Sequence, residues 1–155
     1  METLVLGIGN TLLTDEGVGV HAIQYLKDHY ANLPDTEFLD GGTLSFTLAA
    51  PVEQADRLIV IDATQLNGKP GSVRAFVDAD MDAFLNQQKN CSVHEVSLID
   101  LINIARLTDQ LPQKRALIGI QPENIDWGEQ PTPAVRAAIP VAVRNTLDLI
   151  GEWNA

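Results

Sequence analysis

The chain has 155 residues, 45% of them hydrophobic, and its 21 acidic against 10 basic residues give a formal net charge of -11. This length suits a single domain over residues 1–155 with one hydrophobic core, and the apolar content argues against disorder. The acidic balance disfavours nucleic-acid backbones and anionic membranes and favours encounter with a cationic partner.

No apolar run approaches the ~18 residues of a membrane span. The first Lys or Arg is Lys27, so the basic start of a secretory signal is not seen, and the one cysteine, Cys91, forms no intrachain disulfide. The expectation is a protein of the reducing cytoplasm with no membrane insertion.

In chain order, residues 3–8 read as a first strand that opens through Gly9-Asn10-Thr11 into Asp15-Glu16, the start of a helix over 16–30 with apolar positions Val18, Val20, Ile23 and Leu26. Gly7 and Gly9 match the first two glycines of a dinucleotide-binding turn, but Leu12 stands where the third belongs. The Asp15-Glu16 pair would also repel a diphosphate at the helix start. Residues 36–39 give a short second strand. Gly41-Gly42 then permits a tight turn, and 44–48 begin a helical stretch.

Residues 57–62 hold the run Leu58-Ile59-Val60-Ile61, apolar without alternation, as in a central strand covered on both faces. Asn67-Gly68-Lys69-Pro70-Gly71 is a turn, and 72–77 alternate as an edge strand, read as antiparallel. Asp78, Asp80 and Asp82 begin a short helix reaching Gln88; they read as solvated helix-start acids, because the segment lacks the glycine and glutamate of a calcium loop. Residues 98–107 form a helix with Leu98, Leu101, Ile102, Ala105 and Ile104 facing the sheet. Residues 114–121 form the last strand and 122–133 a loop. The terminal helix is capped by Thr132, carries Pro133 in its first turn, shows Val135, Ile139, Val143, Leu147 and Ile150 on one face, and is open to a bend at Pro140.

This succession argues a three-layer α/β/α sandwich around a twisted, mostly parallel sheet of about five strands, whose usable crevice lies outside the carboxyl ends of the strands. Glu16 follows the first strand, Asp62 ends the central one and His94 precedes the long helix. If the three converge, two carboxylates and an imidazole make a site for nickel or zinc with positions left open. The bland alternatives are a helix-start glutamate, a capping aspartate and a hydrogen-bonded loop histidine. Asp15 is read as a cap that orients its loop, Asp40 as a turn aspartate or a substrate-facing group, His21 and His29 as surface or packing residues, and Cys91 as a half-buried thiol.

The run from Gly7 to Gly19, followed in order by Leu39-Asp40-Gly41-Gly42-Thr43, Leu58 to Ala63, Ser92-Val93-His94-Glu95 and Ile118-Gly119-Ile120-Gln121-Pro122, resembles the hydrogenase maturation proteases. These are endopeptidases that trim the C-terminus of the nickel-containing large subunit of nickel-iron hydrogenases. The resemblance implies a mixed sheet between helical layers, and Glu16, Asp62 and His94 as metal ligands. It also implies an immature large subunit as partner, with nickel-insertion accessory proteins as further candidates, and nickel met in that substrate and bridging its cysteine ligands to the protease. In the isolated protein another divalent ion such as zinc or cadmium would occupy the site. Asp40 becomes the candidate catalytic or positioning acid, with Gly41, Gly42 and Thr43 lining the peptide groove. Water held by the ion, or activated by Asp40, is the expected nucleophile.

No serine triad and no His-Glu-x-x-His helix is present. One departure from the family pattern is Ser45-Phe46 where glycine is expected, which bears on the groove more than on the metal. The competing classes are a chaperone that inspects the nickel centre without cleaving and a peptidyl-tRNA hydrolase-like enzyme. The acidic charge opposes the second.

Overall fold

Leu58, Ile59, Val60 and Ile61 are buried on both faces of the sheet they centre. The computed structural model describes residues 1–88 and 96–155. Its five-stranded sheet is built from β1 (Thr3–Ile8), β2 (Thr36–Gly42), β3 (Arg57–Ala63), β4 (Val73–Val77) and β5 (Lys114–Ile120), in the order β2-β1-β3-β5-β4. β1 pairs parallel with both β2 and β3, β3 pairs parallel with β5, and β4 closes one edge antiparallel to β5. The helices are α1 (Val18–His29), α2 (Ala49–Gln54), α3 (Ala79–Gln88), α4 (Leu98–Leu107) and α5 (Pro133–Asn154).

Strand alternation divides the core into two layers. Val5, Ile59, Ile61, Ala116 and Ile118 pack with Val18, Ala22 and Ile23 of α1 and with Val135, Ala142 and Val143 of α5. Leu4, Leu6, Leu58, Val60 and Leu117 pack with Val52, Met81, Leu85, Leu101 and Ile102 from the other three helices. The result is the expected α/β/α sandwich. The chain leaves β1 toward β2 on one side and returns to β3 on the other, so β1 and β3 flank the point where strand order reverses. Loops leaving the carboxyl ends of such a strand pair diverge and open a crevice.

The structure redraws several expected boundaries. The first helix is preceded by a 3-10 turn, Thr14–Gly17, so Glu16 sits before α1 and not within it. β2 runs on to Gly42, because the strand register shifts at Gly7/Ile8 and the Gly9 N–H donates to the Gly42 carbonyl at 2.8 Å. Asp82 is not merely solvated: it takes Arg115 in a two-point ion pair at 3.0 and 2.5 Å and Arg106 at 3.1 Å. Asp78 Oδ1 accepts the Arg115 backbone N–H at 2.9 Å, so the acids at the start of α3 tie it to the beginning of β5. Thr132 does occupy the N-cap of α5, but its hydroxyl turns elsewhere, and α5 continues through Pro140 to Asn154.

α1 begins directly over the strand ends. A Cβ at Gly19 would collide with the carbonyl oxygen of Ile61 and stand 2.6 Å from that of Ile8. Gly19→Ala is therefore expected to lift α1 from the sheet and lower stability in urea unfolding by about 1–3 kcal/mol. Gly151→Ala, made in α5 where no atom lies within 4 Å of the added carbon, is expected to gain about 0.5–1 kcal/mol.

Candidate active site

The turn between β1 and α1 carries two adjacent carboxylates with opposite fates. Asp15 is fully buried. Its Oδ2 accepts the N–H groups of Glu123 and Asn124 at 2.9 and 3.0 Å, and its Oδ1 accepts the N–H of Thr132 at 2.7 Å. The Thr132 hydroxyl donates to both oxygens, at 3.1 and 2.9 Å. Burial alone would raise the Asp15 carboxyl, but the donors from Asn124, Thr132 and Glu123 outweigh it and hold the group below its ordinary value. Asp15 thus caps the distant start of α5 and its preceding loop rather than its own helix.

Glu16 is consequently fixed on the crevice side of the same turn. Its N–H donates to the Leu13 carbonyl at 3.0 Å. Gly9, at φ 140°, passes so close beneath the Glu16 carbonyl that a side chain there would overlap it. Asp62 comes from the end of β3, in register with Gly119 of β5. Its carboxyl is pushed well above the usual carboxylate range, first by burial and second by the negative charge of Glu16, with the Ala63 N–H opposing both. Two of the three expected ligands therefore meet electrostatically at the switch point.

His94 and Cys91 lie outside the described residues. Among the described residues no three His, Cys, Asp or Glu side chains form a metal-ligand group. His21 is partly buried in α1, where burial and the nearby Arg136 charge lower its pKa, and His29 is exposed with its ring stacked on Tyr25. Both therefore match the expected packing and surface positions.

Glu16 and Asp62 open into a cleft with two lobes. The larger, of about 260 Å³, has an apolar wall that includes Leu44, Phe84, Val96 and Leu98 and a polar lip of Thr64 and Gln65. The smaller, of about 80 Å³, is bounded by Gly9, Thr43 and Leu44. Of the expected groove residues Thr43 lines the cleft. Gly42, at φ 55°, has open space where a side chain would stand, whereas a Cβ at Gly41 would stand 2.8 Å from the Leu6 side chain. Asp40 is exposed and its Oδ1 accepts the Gly42 N–H at 2.9 Å, the turn-stabilising contact that was one of its two readings. Leu44, rather than Ser45 or Phe46, is the residue of that segment that reaches the cleft wall.

Gln121, one residue of the run Ile118 to Pro122, is buried and shapes the site. Its Oε1 accepts the Leu66 N–H at 2.6 Å, and its Nε2 donates to the Pro122 carbonyl at 3.3 Å. It thereby holds the loop that follows Asp62. A glutamine placed at the carboxyl end of an apolar strand was the signal available for it.

An acidic crevice at the switch point of an α/β sandwich is here joined to clear kinship with peptidases. A family model described as hydrogenase maturation protease, HycI, matches residues 20–149. The chain belongs to the hydrogenase maturation protease family. The hydrogenase 2 maturation protease of Escherichia coli is 36% identical over 154 residues, covering 98% of this chain and 92% of that protein. The hydrogenase expression/formation protein HoxM of Cupriavidus necator is 36% identical over 152 residues, covering 97% of this chain and 75% of that protein. Among solved structures, the hydrogenase maturating endopeptidase HybD of E. coli superposes with a TM-score of 0.89 at 34% identity, covering 98% of this chain and 93% of that one. The family is one of endopeptidases, and that activity is this chain's. No helix of the described residues is long and apolar enough to cross a membrane.

Two substitutions separate the paired roles of the turn. Asp15→Ala leaves buried N–H groups without an acceptor and is expected to cost about 3 kcal/mol or more. Because the folded-state pKa of Asp15 lies below its unfolded value of 3.8, the wild-type advantage is full above that value and fades as pH falls through the lowered one. Paired urea titrations across the acid range would show it. Asp62 has the opposite sign, since its folded-state pKa is raised. The contribution of Asp62 to stability is most favourable below its unfolded pKa and is lost as pH rises through the folded one. Asp62→Asn is therefore expected to melt above wild type at neutral pH, by about 2–4 °C for each kcal/mol relieved, with the gap closing in acid.

Proposed function

We propose that the chain is an endopeptidase that removes the C-terminal peptide of a nickel-iron hydrogenase large-subunit precursor, and that it reads nickel already present in that substrate through Glu16, Asp62 and His94. The observation that carries this reading is the Glu16–Asp62 pair. Two carboxylates forced together, one held toward protonation by burial and by the other, form a donor set that a divalent cation relieves. A neutral imidazole from His94 would complete it. Ligands from both proteins on one ion tie cleavage to metal loading.

The remaining residues suggest how the tail is held. Among the described residues β2 is an outer strand of the sheet, and the edge it turns away from β1 pairs with no other strand there. That edge ends at Gly41-Gly42-Thr43, beside the smaller lobe of the cleft. An extended peptide laid along it would gain main-chain hydrogen bonds in the manner of an added strand. Asp40, exposed there with one oxygen committed to Gly42 and the other directed to no partner among the described hydrogen bonds, is suited to take a proton from an attacking water. Fixing the scissile carbonyl between this edge and the acid pair supplies the orientation that an unaided hydrolysis lacks.

Purified protein should release a C-terminal peptide from the nickel-loaded precursor and leave the nickel-free precursor largely intact, with mass spectrometry scoring both. Asp62→Ala should abolish the preference, whereas Glu152→Ala, on the exposed end of α5, should not. Equal cleavage of the two precursors would remove nickel from the recognition step. Tight binding of the loaded form with no peptide released would make the protein an inspecting chaperone.

A further inference from the structure

Leu12, Ile125 and Trp127 are 50%, 59% and 81% exposed, while the other tryptophan, Trp153, is only 8% exposed in the core. Single exposed apolar residues are ordinary, but three large ones on two loops bonded to each other form a patch. The loops are held firmly. Leu13 and Gly128 form a parallel bridge, with the Gly128 N–H donating to the Leu12 carbonyl at 2.9 Å and the Thr14 N–H to the Gly128 carbonyl at 2.8 Å. Thr14 Oγ1 donates to the Asp126 carbonyl at 2.6 Å, and the Asp15 N–H donates to the Asn124 carbonyl at 3.0 Å. Leu12 and Trp127 thus occupy matched positions, each one residue before the bridged pair. The buried Asp15 carboxylate pins residues 123 and 124 from within. An indole held in water on a pre-ordered loop costs little further entropy when a partner covers it.

The patch lies four residues along the chain from Glu16, and its surroundings are predominantly acidic. Glu16, Glu123, Asp126 and Glu129 belong to these loops, against Arg136, whose guanidinium reaches Gln130 at 3.5 Å. A second copy of the chain would bring the same acidic rim against itself, and an anionic membrane would be repelled. The fitting partner has an apolar spot ringed by cations and must also reach Glu16.

We propose that Leu12, Ile125 and Trp127 form the docking surface for the folded body of the precursor whose tail enters the cleft, a second recognition element beside the nickel. This rests on the function proposed above. Binding energy from a surface remote from the scissile bond then selects the whole folded substrate over a free peptide.

The test is the double variant Leu12→Ser/Trp127→Ala assayed on nickel-loaded precursor. Loss of a tryptophan anchor should raise KM by about 30-fold with kcat, melting temperature and nickel affinity unchanged, the pattern of lost uniform binding. In protein labelled with 5-fluorotryptophan, the Trp127 fluorine resonance should shift when unlabelled precursor is added and the Trp153 resonance should stay. An unaltered KM, or an unmoved Trp127 resonance during turnover, overturns the docking surface while leaving the protease function standing. A wild-type protein that neither binds nor cleaves the precursor overturns both. A change in oligomeric state with KM unaltered would assign the patch to self-association and overturn the proposal.

Discussion

The site depends on one buried carboxylate. Asp15 faces inward and accepts three backbone N–H groups and a hydroxyl from a segment more than a hundred residues away in sequence. A charge in a low-dielectric interior is tolerated only when its oxygens are saturated in this way. The same bonds fix the loop after β5, start α5 at Thr132, and lock the 3-10 turn so that Glu16 is set at the crevice. Two neighbouring acids therefore divide the turn: the first is spent on structure, which leaves the second facing the crevice.

Glu16 and Asp62 are the counterpart of that arrangement. Parallel pairing aligns the ends of β1 and β3, and the glycines at 9 and 19 let the turn and the helix press onto those ends without intervening side chains. The strands thereby deliver Asp62 to a place where burial and Glu16 both oppose its charge. The cost lies in the native state and is relieved by a proton or, in the function proposed above, by a cation. Such conflict at a crevice is the mark of a site shaped for binding rather than stability.

Much of this was legible in the chain. The unbroken apolar run at 58–61 located the central strand, and the turn residues at 67–71 preceded an antiparallel edge strand as expected. The glycines and acids between residues 7 and 19 marked the turn that borders the crevice. What escaped the sequence was pairing at long range. Asp15 looked like a local cap because nothing in a linear reading says that Glu123, Asn124 and Thr132 will present their N–H groups to it. Asp82 looked solvated because Arg115 and Arg106 lie in other elements. Gln121 and Leu44 gained their meaning only when β5 and the segment after β2 met the loop behind Asp62. The apolar patch at Leu12 and Trp127 likewise requires a bridge between residues 13 and 128 that no local pattern encodes.

The central claim is that the Glu16–Asp62 pair is a cation-reading element whose strain a divalent ion relieves. Calorimetry of nickel binding to the isolated protein across the acid range, in buffers of different ionisation enthalpy, tests it most directly, because an acid with a raised pKa gives up its proton when the ion binds. The account predicts measurable proton release by wild type, and both weaker binding and less proton release by Asp62→Asn. Equal nickel affinity and equal proton release in the two proteins would contradict it.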